Sequence, residues 1–412
     1  MKKDYIWNTI GVLAQNAISP LLLIVVTRLN GISDSGLFSF AFSVAIIFWT
    51  ISMWGGRTYQ VSDVKKEYSN RSYIMVRLLL GVAVFVGSAI FCIANNYDLL
   101  KTSLIFALVL FKVIESIADS IYGIMQAHDR LYSTGKSLLY KAIGSLAVFS
   151  IIDLVTQNVL ISSLGIIIVN CLVVAFYDIP VARKLEVIKF PKDEIRHYIK
   201  DAIVIIKRCW PIFIVAFLAA FSLNIPRYFI DMYHPDEIGY FGILAMPITL
   251  VVLVMTFILQ PNIVQLSRLL DNNDFTRFKK IVAKLMYITF LVGFSILIAA
   301  YFVGIQVLHI VFGVDFNNYR DALSIIIVGA IANALVAIFI NVFVIMRRFK
   351  EQFYILLITN LLLLTVSISF VKEYGLMGGV ELFTIVNILQ IILLFIAYRM
   401  YVNKLEKYAK EN

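Results

Sequence analysis

Charged side chains are scarce in this sequence. They make up 15% of its 412 residues, whereas hydrophobic residues make up 61%, and the mean hydropathy is +0.88. Soluble globular domains carry about 25% charged and roughly 45 to 50% apolar residues. The low charge content therefore excludes a soluble globular protein and a disordered chain, and it indicates a protein built from membrane-spanning helices.

Cysteine and histidine are also rare. The three cysteines, Cys92, Cys171 and Cys209, lie far apart and form no C-x-x-C pair, which argues against a disulfide framework and a zinc site. The four histidines are scattered along the chain. We therefore expect neither a metal nor any other cofactor.

Twelve apolar stretches are long enough to cross a bilayer, for which about 20 residues are needed. They lie near residues 8–29, 36–55, 74–94, 102–125, 138–157, 159–180, 209–230, 238–262, 282–304, 322–346, 353–371 and 377–399. Twelve such spans use about 240 residues and leave only short loops and tails. The sequence predicts an all-α polytopic membrane protein.

The basic residues indicate the orientation. Most of the 36 lysines and arginines fall in loops on one side of the predicted membrane, and the positive-inside rule places that side and both termini in the cytoplasm. The loops Arg57 to Arg77 and Arg130 to Lys141 are two of them. The net charge of +10 is explained by this topology, so we expect no nucleic-acid partner.

The chain is predicted to form two pseudo-symmetric bundles of six helices. They cover residues 1–183 and 208–412, and residues 184–207 form a cytoplasmic linker between them. In the linker, apolar residues recur at helical spacing opposite lysine and arginine, which predicts an amphipathic helix in the membrane surface. Because six is an even number, the two bundles have the same orientation.

Helix 4 carries Lys112, Glu115 and Asp119 within about 60° of one helical face. A charge near the bilayer centre costs roughly 2.5 to 3.5 kcal/mol, so such residues face a bundle interior or a water-filled path. One interpretation is an internal salt bridge that fixes helix packing. In the other, Glu115 or Asp119 binds the coupling ion and Lys112 meets an anionic substrate.

Two arginines lie near the outer ends of helices 1 and 7. Arg28 and Arg227 either extend towards the outer interface or bind a phosphate-bearing substrate, because arginine forms paired hydrogen bonds with phosphate oxygens. Polar residues of helix 1, among them Gln15 and Asn16, either link helices or bind sugar hydroxyls.

Aromatic residues of helix 2 offer a further surface. Phe38, Phe42 and Trp49 recur at helical spacing, either for ordinary packing or for stacking on sugar rings. A membrane glycosyltransferase or polymerase is an alternative function, but the predicted outer loops are too short for the carboxylate motifs of such enzymes. We therefore predict a protein that is not an enzyme.

Residues 7–63, from WNTIGVLAQN through TRLNG to GGRTYQVSD, are similar to the opening of Wzx-type polysaccharide flippases. These belong to the multidrug/oligosaccharidyl-lipid/polysaccharide (MOP) exporter superfamily, together with MurJ-like lipid II flippases and MATE drug exporters. The resemblance implies a V-shaped pair of bundles around a central cationic cavity. It further implies a flippase in the bacterial cell membrane that serves O-antigen, capsule or teichoic acid biosynthesis.

The implied substrate is an undecaprenyl-diphosphate-linked oligosaccharide, moved from the cytoplasmic to the outer leaflet by alternating access. Arg28 in TRLNG matches a family arginine that faces the cavity, and Arg57 is similar to a second basic residue near the inner gate. A proton gradient, a sodium gradient or the membrane potential drives such proteins. Further expected partners are membrane lipids and a polymerase or glycosyltransferases. A MATE-like cation-coupled drug exporter is the alternative within the superfamily.

Overall fold

The computed structural model describes residues 2–63, 65–186, 190–259 and 262–411. Helices make up almost all of this part of the chain, which contains no strand. The chain divides into two compact units, Met1–Ala220 and Phe221–Asn412. The predicted division at residues 183 and 208 stays a prediction, as does the V-shaped arrangement. Residues 187–189 of the predicted linker and residues 260 and 261 of the eighth predicted span lie outside the described residues.

The first unit is a bundle of helices that pack around α1 and α4. In it, α1 packs against α4 and α5, α3 against α4, and α5 against α6. Its helices are α1 (Lys2–Met53), α2 (Gly56–Ser62), α3 (Asn70–Ala94), α4 (Leu99–Ala127), α5 (Leu131–Thr156), α6 (Val159–Val173) and α7 (Ile179–Arg183), with a π-helical turn, Val174–Asp178, between α6 and α7. A 3-10 turn, Lys192–Glu194, leads into α8 (Ile195–Tyr233), which contains the boundary between the units.

The second unit is a bundle centred on α14. In it, α14 packs against α10, α12 and α15, and the core is closed by buried aromatic residues such as Phe278, Phe339 and Phe343. After a 3-10 turn, Pro235–Glu237, its helices are α9 (Ile238–Leu244), α10 (Met246–Leu259), α11 (Ile263–Asp271), α12 (Phe275–Ala299), α13 (Ile305–Phe312), α14 (Arg320–Ile345) and α15 (Phe349–Glu411). A π-helical turn, Ala300–Gly304, joins α12 to α13, and a 3-10 turn, Asn317–Tyr319, precedes α14.

The helices account for the twelve predicted spans. Within the described residues, nine helical segments are long and apolar enough to cross a membrane. Two of them contain a sharp break, at Gly31 in α1 and at Gly375 in α15, and each corresponds to two predicted spans. The remaining predicted span is α4, which is not among the nine because it carries the charged residues Lys112, Glu115 and Asp119.

Glycine is required at both breaks. Gly31 has φ 88° and ψ −177°, and Gly375 has φ 57° and ψ −136°, which are backbone conformations that side chains with a Cβ rarely adopt. A Cβ at Gly31 would meet no atom within 4 Å, whereas a Cβ at Gly375 would lie 2.5 Å from Glu237 Oε2. That carboxylate oxygen also accepts a hydrogen bond from the backbone N–H of Leu376 (2.5 Å).

The predicted amphipathic segment forms the first turns of α8, but protein covers its apolar face. Tyr198, Ala202 and Ile205 are buried against α3, in a cluster that includes Tyr73, Val76 and Leu80. The indole N–H of Trp54 donates to the backbone carbonyl of Ile206 (2.7 Å). The periodic pattern thus predicted the helix, while its apolar stripe packs on a neighbouring helix of the same unit.

We expect the two kink glycines to differ in their tolerance of alanine. Gly31→Ala strains only the backbone and should lower the free energy of unfolding by about 1–3 kcal/mol. Gly375→Ala adds the clash with Glu237 and should cost more. Thermal unfolding midpoints of the purified variants in detergent measure the difference. Gly87→Ala, at a helical glycine of α3, is the control, and a midpoint for Gly375→Ala above that of Gly31→Ala would contradict this account.

Candidate functional site

The polar stripe of α4 is buried in the first unit, where it separates into two groups of side chains. Asp98 caps the helix by accepting from the backbone N–H of Lys101 (2.7 Å), so the register of the following turns is fixed from this end. Lys112, Glu115 and Asp119 then project from one face, as predicted. Their side chains are only 11%, 11% and 15% exposed.

The first group, which we call the neutral cluster, consists of Gln15, Lys112 and Glu115. Lys112 Nζ lies 2.6 Å from Glu115 Oε2, and the side-chain amide of Gln15 donates to Glu115 Oε1. The Lys112 ammonium also lies 4.7–5.6 Å from the ring centroids of Phe42, Trp49 and Phe111. One positive and one negative charge cancel here, and the aromatic rings stabilise the cation.

The second group, which we call the cationic cluster, consists of Arg57, Arg77 and Asp119. Asp119 accepts a hydrogen bond from the backbone N–H of Arg57 (3.2 Å), and its oxygens lie 3.7 Å from Arg57 Nε and from Arg77 Nη2. Two guanidinium groups share one carboxylate, so this cluster carries one excess positive charge. Nη1 of Arg57 is buried and has no hydrogen-bond partner among the described residues.

The cationic cluster is built on a break between α1 and α2. Trp54 and Gly55 have positive φ angles, 35° and 88°, so the chain turns there and the last carbonyls of α1 are left without helical partners. Arg77 Nη1 donates to two of them, the carbonyls of Ser52 (3.2 Å) and Met53. A cation at the C-terminal end of a helix is favoured by the helix dipole.

Arg77 lies both in the predicted span 74–94 and at the end of the predicted basic loop Arg57 to Arg77, and the structure agrees with the span. The residue lies inside α3 and is 3% exposed. Its neighbours along the chain are apolar, and only the position of Asp119 on another helix identifies its partner.

The loop that follows α2 is organised by Asp63. Its carboxylate accepts hydrogen bonds from the backbone N–H groups of Glu67 (2.9 Å) and Tyr68 (3.0 Å) and from the Tyr73 hydroxyl (3.0 Å). Desolvation raises the pKa of this carboxyl group, but the three hydrogen bonds outweigh it and hold the pKa below its usual value. Glu67 is also paired with Arg208 of α8 (2.8 Å), so the loop is anchored to that helix.

Asn16, Arg28 and Arg227 are the other predicted site residues, and each has its own surroundings. Asn16 is exposed and its amide donates to the Val12 carbonyl of its own helix (2.8 Å). Arg28 is exposed, three residues before the break at Gly31. In the second unit, the Arg227 guanidinium lies 5.6 Å from the ring of Phe241, and its Nε is buried without a hydrogen-bond partner in the described chain. Roles in transport for these three residues stay predictions.

The proposed aromatic stacking surface is also not formed as a whole. Phe38 and Phe42 are 1% and 5% exposed and belong to the core, where Phe38 contacts the ring of Phe149 (5.8 Å between centroids). Trp49 is half-buried. Of the three residues, Trp49 alone keeps part of its surface accessible. Across the described ranges, no group of three or more His, Cys, Asp or Glu side chains is arranged to hold a metal ion.

A third charged group lies about one turn of α4 after Asp119, and sequence reasoning missed it. Lys141 Nζ lies 2.7 Å from Asp178 Oδ2 and 2.7 Å from the Tyr122 hydroxyl, and that hydroxyl lies 2.8 Å from Ser137 Oγ. Lys141 is 2% exposed and Asp178 is fully buried, at the end of the π-helical turn. Lys141 was counted at the end of the predicted basic loop Arg130 to Lys141, although the predicted span 138–157 also contains it. The available signal was Tyr122, which continues the polar face of α4 by i+3 from Asp119.

Three known proteins are similar to this chain in sequence or in fold. CapF, a capsular polysaccharide biosynthesis protein of Staphylococcus aureus, is 25% identical over 382 residues, which cover 92% of this chain and 94% of CapF. The lipid II flippase MurJ, in an inward closed conformation, superposes with a TM-score of 0.72 at 14% identity, over 97% of this chain and 90% of MurJ. An inward-facing MATE multidrug resistance transporter of the MOP superfamily gives a TM-score of 0.70 at 12% identity, over 97% and 96% of the two chains.

This chain has the fold of the MOP-superfamily transporters. The predicted all-α polytopic fold is thereby confirmed, and it agrees with the sequence resemblance to exporters of this superfamily, although no protein-family model matches the chain. The solved structures that the chain resembles are a lipid II flippase and a MATE transporter. That the protein is not an enzyme stays a prediction. The protein is a multi-pass membrane protein.

The buried pair Lys141–Asp178 yields a stability prediction. Lys141→Met leaves the Asp178 charge buried without a cation and should lower the free energy of unfolding by about 3–5 kcal/mol. The double variant Lys141→Met, Asp178→Leu removes both charges and should recover most of this loss. Denaturant unfolding of the purified proteins in mixed micelles measures both. A double variant as unstable as Lys141→Met would contradict the pairing.

Proposed function

We propose that this protein is a flippase that moves an undecaprenyl-diphosphate-linked oligosaccharide or teichoic acid precursor from the cytoplasmic to the outer leaflet by alternating access. The observation that carries the proposal is the cationic cluster, which holds excess positive charge inside a bundle of membrane helices. CapF, which is similar to the chain over nearly its full length, is a capsular polysaccharide biosynthesis protein. The Arg28 side chain, exposed on α1, and Arg227 of the second unit are further substrate contacts in this proposal.

The cationic cluster suits a diphosphate. An anion that enters hydrocarbon without a counter-charge meets a prohibitive desolvation penalty. Arg57 offers a guanidinium whose Nη1 has no hydrogen-bond partner among the described residues, and arginine binds phosphate oxygens through paired hydrogen bonds. Asp119, which is itself paired with Arg77, holds Arg57 at the break between α1 and α2. The long prenyl chain would remain in the lipid.

The bacterial cell membrane is the proposed location, with both termini in the cytoplasm, because the basic loops lie on the side of the termini. We further propose that a proton or sodium gradient, or the membrane potential, drives the cycle. Glu115 is the better candidate for the coupling carboxylate, since Asp119 already neutralises part of two arginines whereas Glu115 faces one lysine. Contact with a polymerase or glycosyltransferase stays a prediction.

A drug exporter is the second candidate, because a MATE transporter matches this chain over nearly its full length. A site for cationic drugs requires excess negative charge. The clusters on α4 are neutral and positive, so their charges favour an anionic substrate.

Depletion of the protein from its native cells tests the proposal. Prenyl-diphosphate lipids are analysed by mass spectrometry, together with an assay of the leaflet that holds them. We expect a completed lipid-linked glycan to accumulate on the inner leaflet. An unchanged lipid pool would contradict the flippase function, and a truncated glycan would indicate a missing glycosyltransferase.

Complementation of the depleted cells with single-residue variants tests which side chains transport requires. The wild-type chain should restore the lipid distribution, whereas Arg57→Gln and Arg28→Ala at equal expression should leave most of the glycolipid on the inner leaflet. Arg196→Gln, which removes an exposed arginine from α8, is the matched control and should restore it fully.

A further inference from the structure

Two polar atoms beside the ion pair of the neutral cluster have no hydrogen-bond partner among the described residues. They are the indole Nε1 of Trp49 and the amide Oε1 of Gln15, and both are buried. Trp49 and Gln15 border the same ion pair, since the Trp49 ring lies 5.6 Å from Lys112 Nζ and Gln15 bonds to Glu115. The Oδ1 of Asn8, also buried and unpartnered in the described chain, lies on the same face of α1, but seven residues place Asn8 about 10 Å from Gln15 along the helix, so it is outside this group.

A ligand with hydroxyl groups would supply hydrogen-bond partners for these atoms. A buried donor or acceptor without a partner costs about 1–3 kcal/mol, and native structures rarely tolerate one without a reason. The set contains one donor, the Trp49 N–H, and one acceptor, the carbonyl oxygen of the Gln15 side chain. A hydroxyl group both donates and accepts, so a polyhydroxylated ring can satisfy both.

The charge distribution separates this region from the cationic cluster. Lys112 and Glu115 cancel at one level of α4, whereas the excess positive charge lies at Asp119 with its two arginines. Glu115 and Asp119 are four residues apart, a rise of about 6 Å along the helix. An uncharged polar group and an anionic group are therefore accommodated next to each other, at two levels of one helix.

We infer that the first unit contains a saccharide subsite, formed by Trp49 and the neutral cluster, adjacent to a diphosphate subsite at the cationic cluster. The inference rests on the proposed flippase function and assigns the two parts of the substrate to different residues. The Trp49 N–H and the Gln15 amide oxygen bind hydroxyls of the sugar nearest the diphosphate. Arg57 binds the diphosphate, whatever the glycan.

The test compares two probes on the purified full-length protein in nanodiscs. One is the prenyl-diphosphate glycolipid extracted from depleted cells, and the other is undecaprenyl diphosphate without a glycan. Trp49→Phe keeps the ring and removes only the N–H. It should weaken binding of the glycolipid about three- to tenfold, the value of one hydrogen bond, and leave the Kd for undecaprenyl diphosphate unchanged.

Controls make the outcome specific. Trp210→Phe, at a tryptophan that is 51% exposed, should change neither Kd. Arg57→Gln should weaken binding of both probes. The unchanged Kd of Trp49→Phe for undecaprenyl diphosphate also shows that the variant is folded.

Two results would contradict the saccharide subsite. In the first, Trp49→Phe weakens the binding of both probes equally. In the second, the wild-type protein binds the two probes with the same Kd. Failure of the wild-type protein to bind either probe would instead contradict the proposed flippase function, so the two failures are distinguishable.

Discussion

The need to neutralise charge inside a membrane governs the structure of the first unit. The face of α4 places Lys112, Glu115, Asp119 and Tyr122 within a buried interior. An ionised side chain there is tolerated only with a partner, because hydrocarbon offers no water to solvate it. Each charge of this face is accordingly matched by a group on another helix or one turn away.

These matches explain how the bundle is connected. Glu115 accepts a hydrogen bond from Gln15 of α1, and Asp119 pairs with Arg57 of α2 and Arg77 of α3. Tyr122 is hydrogen-bonded to Lys141 of α5, which pairs with Asp178. In a bilayer, apolar contacts between helices gain little over contacts with lipid, so such polar links contribute to helix association. The same links leave one charge in excess, at the cationic cluster, and that excess is the physical basis for an anionic substrate.

Much of the fold followed from the sequence, and parts of the site did not. Long apolar stretches predicted twelve spans, and spacing alone predicted that Lys112, Glu115 and Asp119 share a face. Hydropathy cannot fix the end of a helix to within a few residues, so Arg77 and Lys141 were counted with the charges of loops that overlap the predicted spans, although both are buried within helices. Partners such as Arg77 for Asp119 are distant along the chain, and no local pattern identifies them. The apolar stripe at the start of α8 shows the same limit. Periodicity predicts that one face of a helix is apolar, but it does not tell whether that face contacts the membrane surface or a neighbouring helix.

Reconstitution tests the central claim most directly. The purified protein is placed in liposomes with a fluorescent undecaprenyl-diphosphate oligosaccharide, and a membrane-impermeant quencher reports the fraction of lipid in the outer leaflet over time. The account predicts that the labelled lipid exchanges between leaflets much faster than in protein-free liposomes. Exchange at the protein-free rate, together with transport of a cationic drug by the same liposomes, would contradict it.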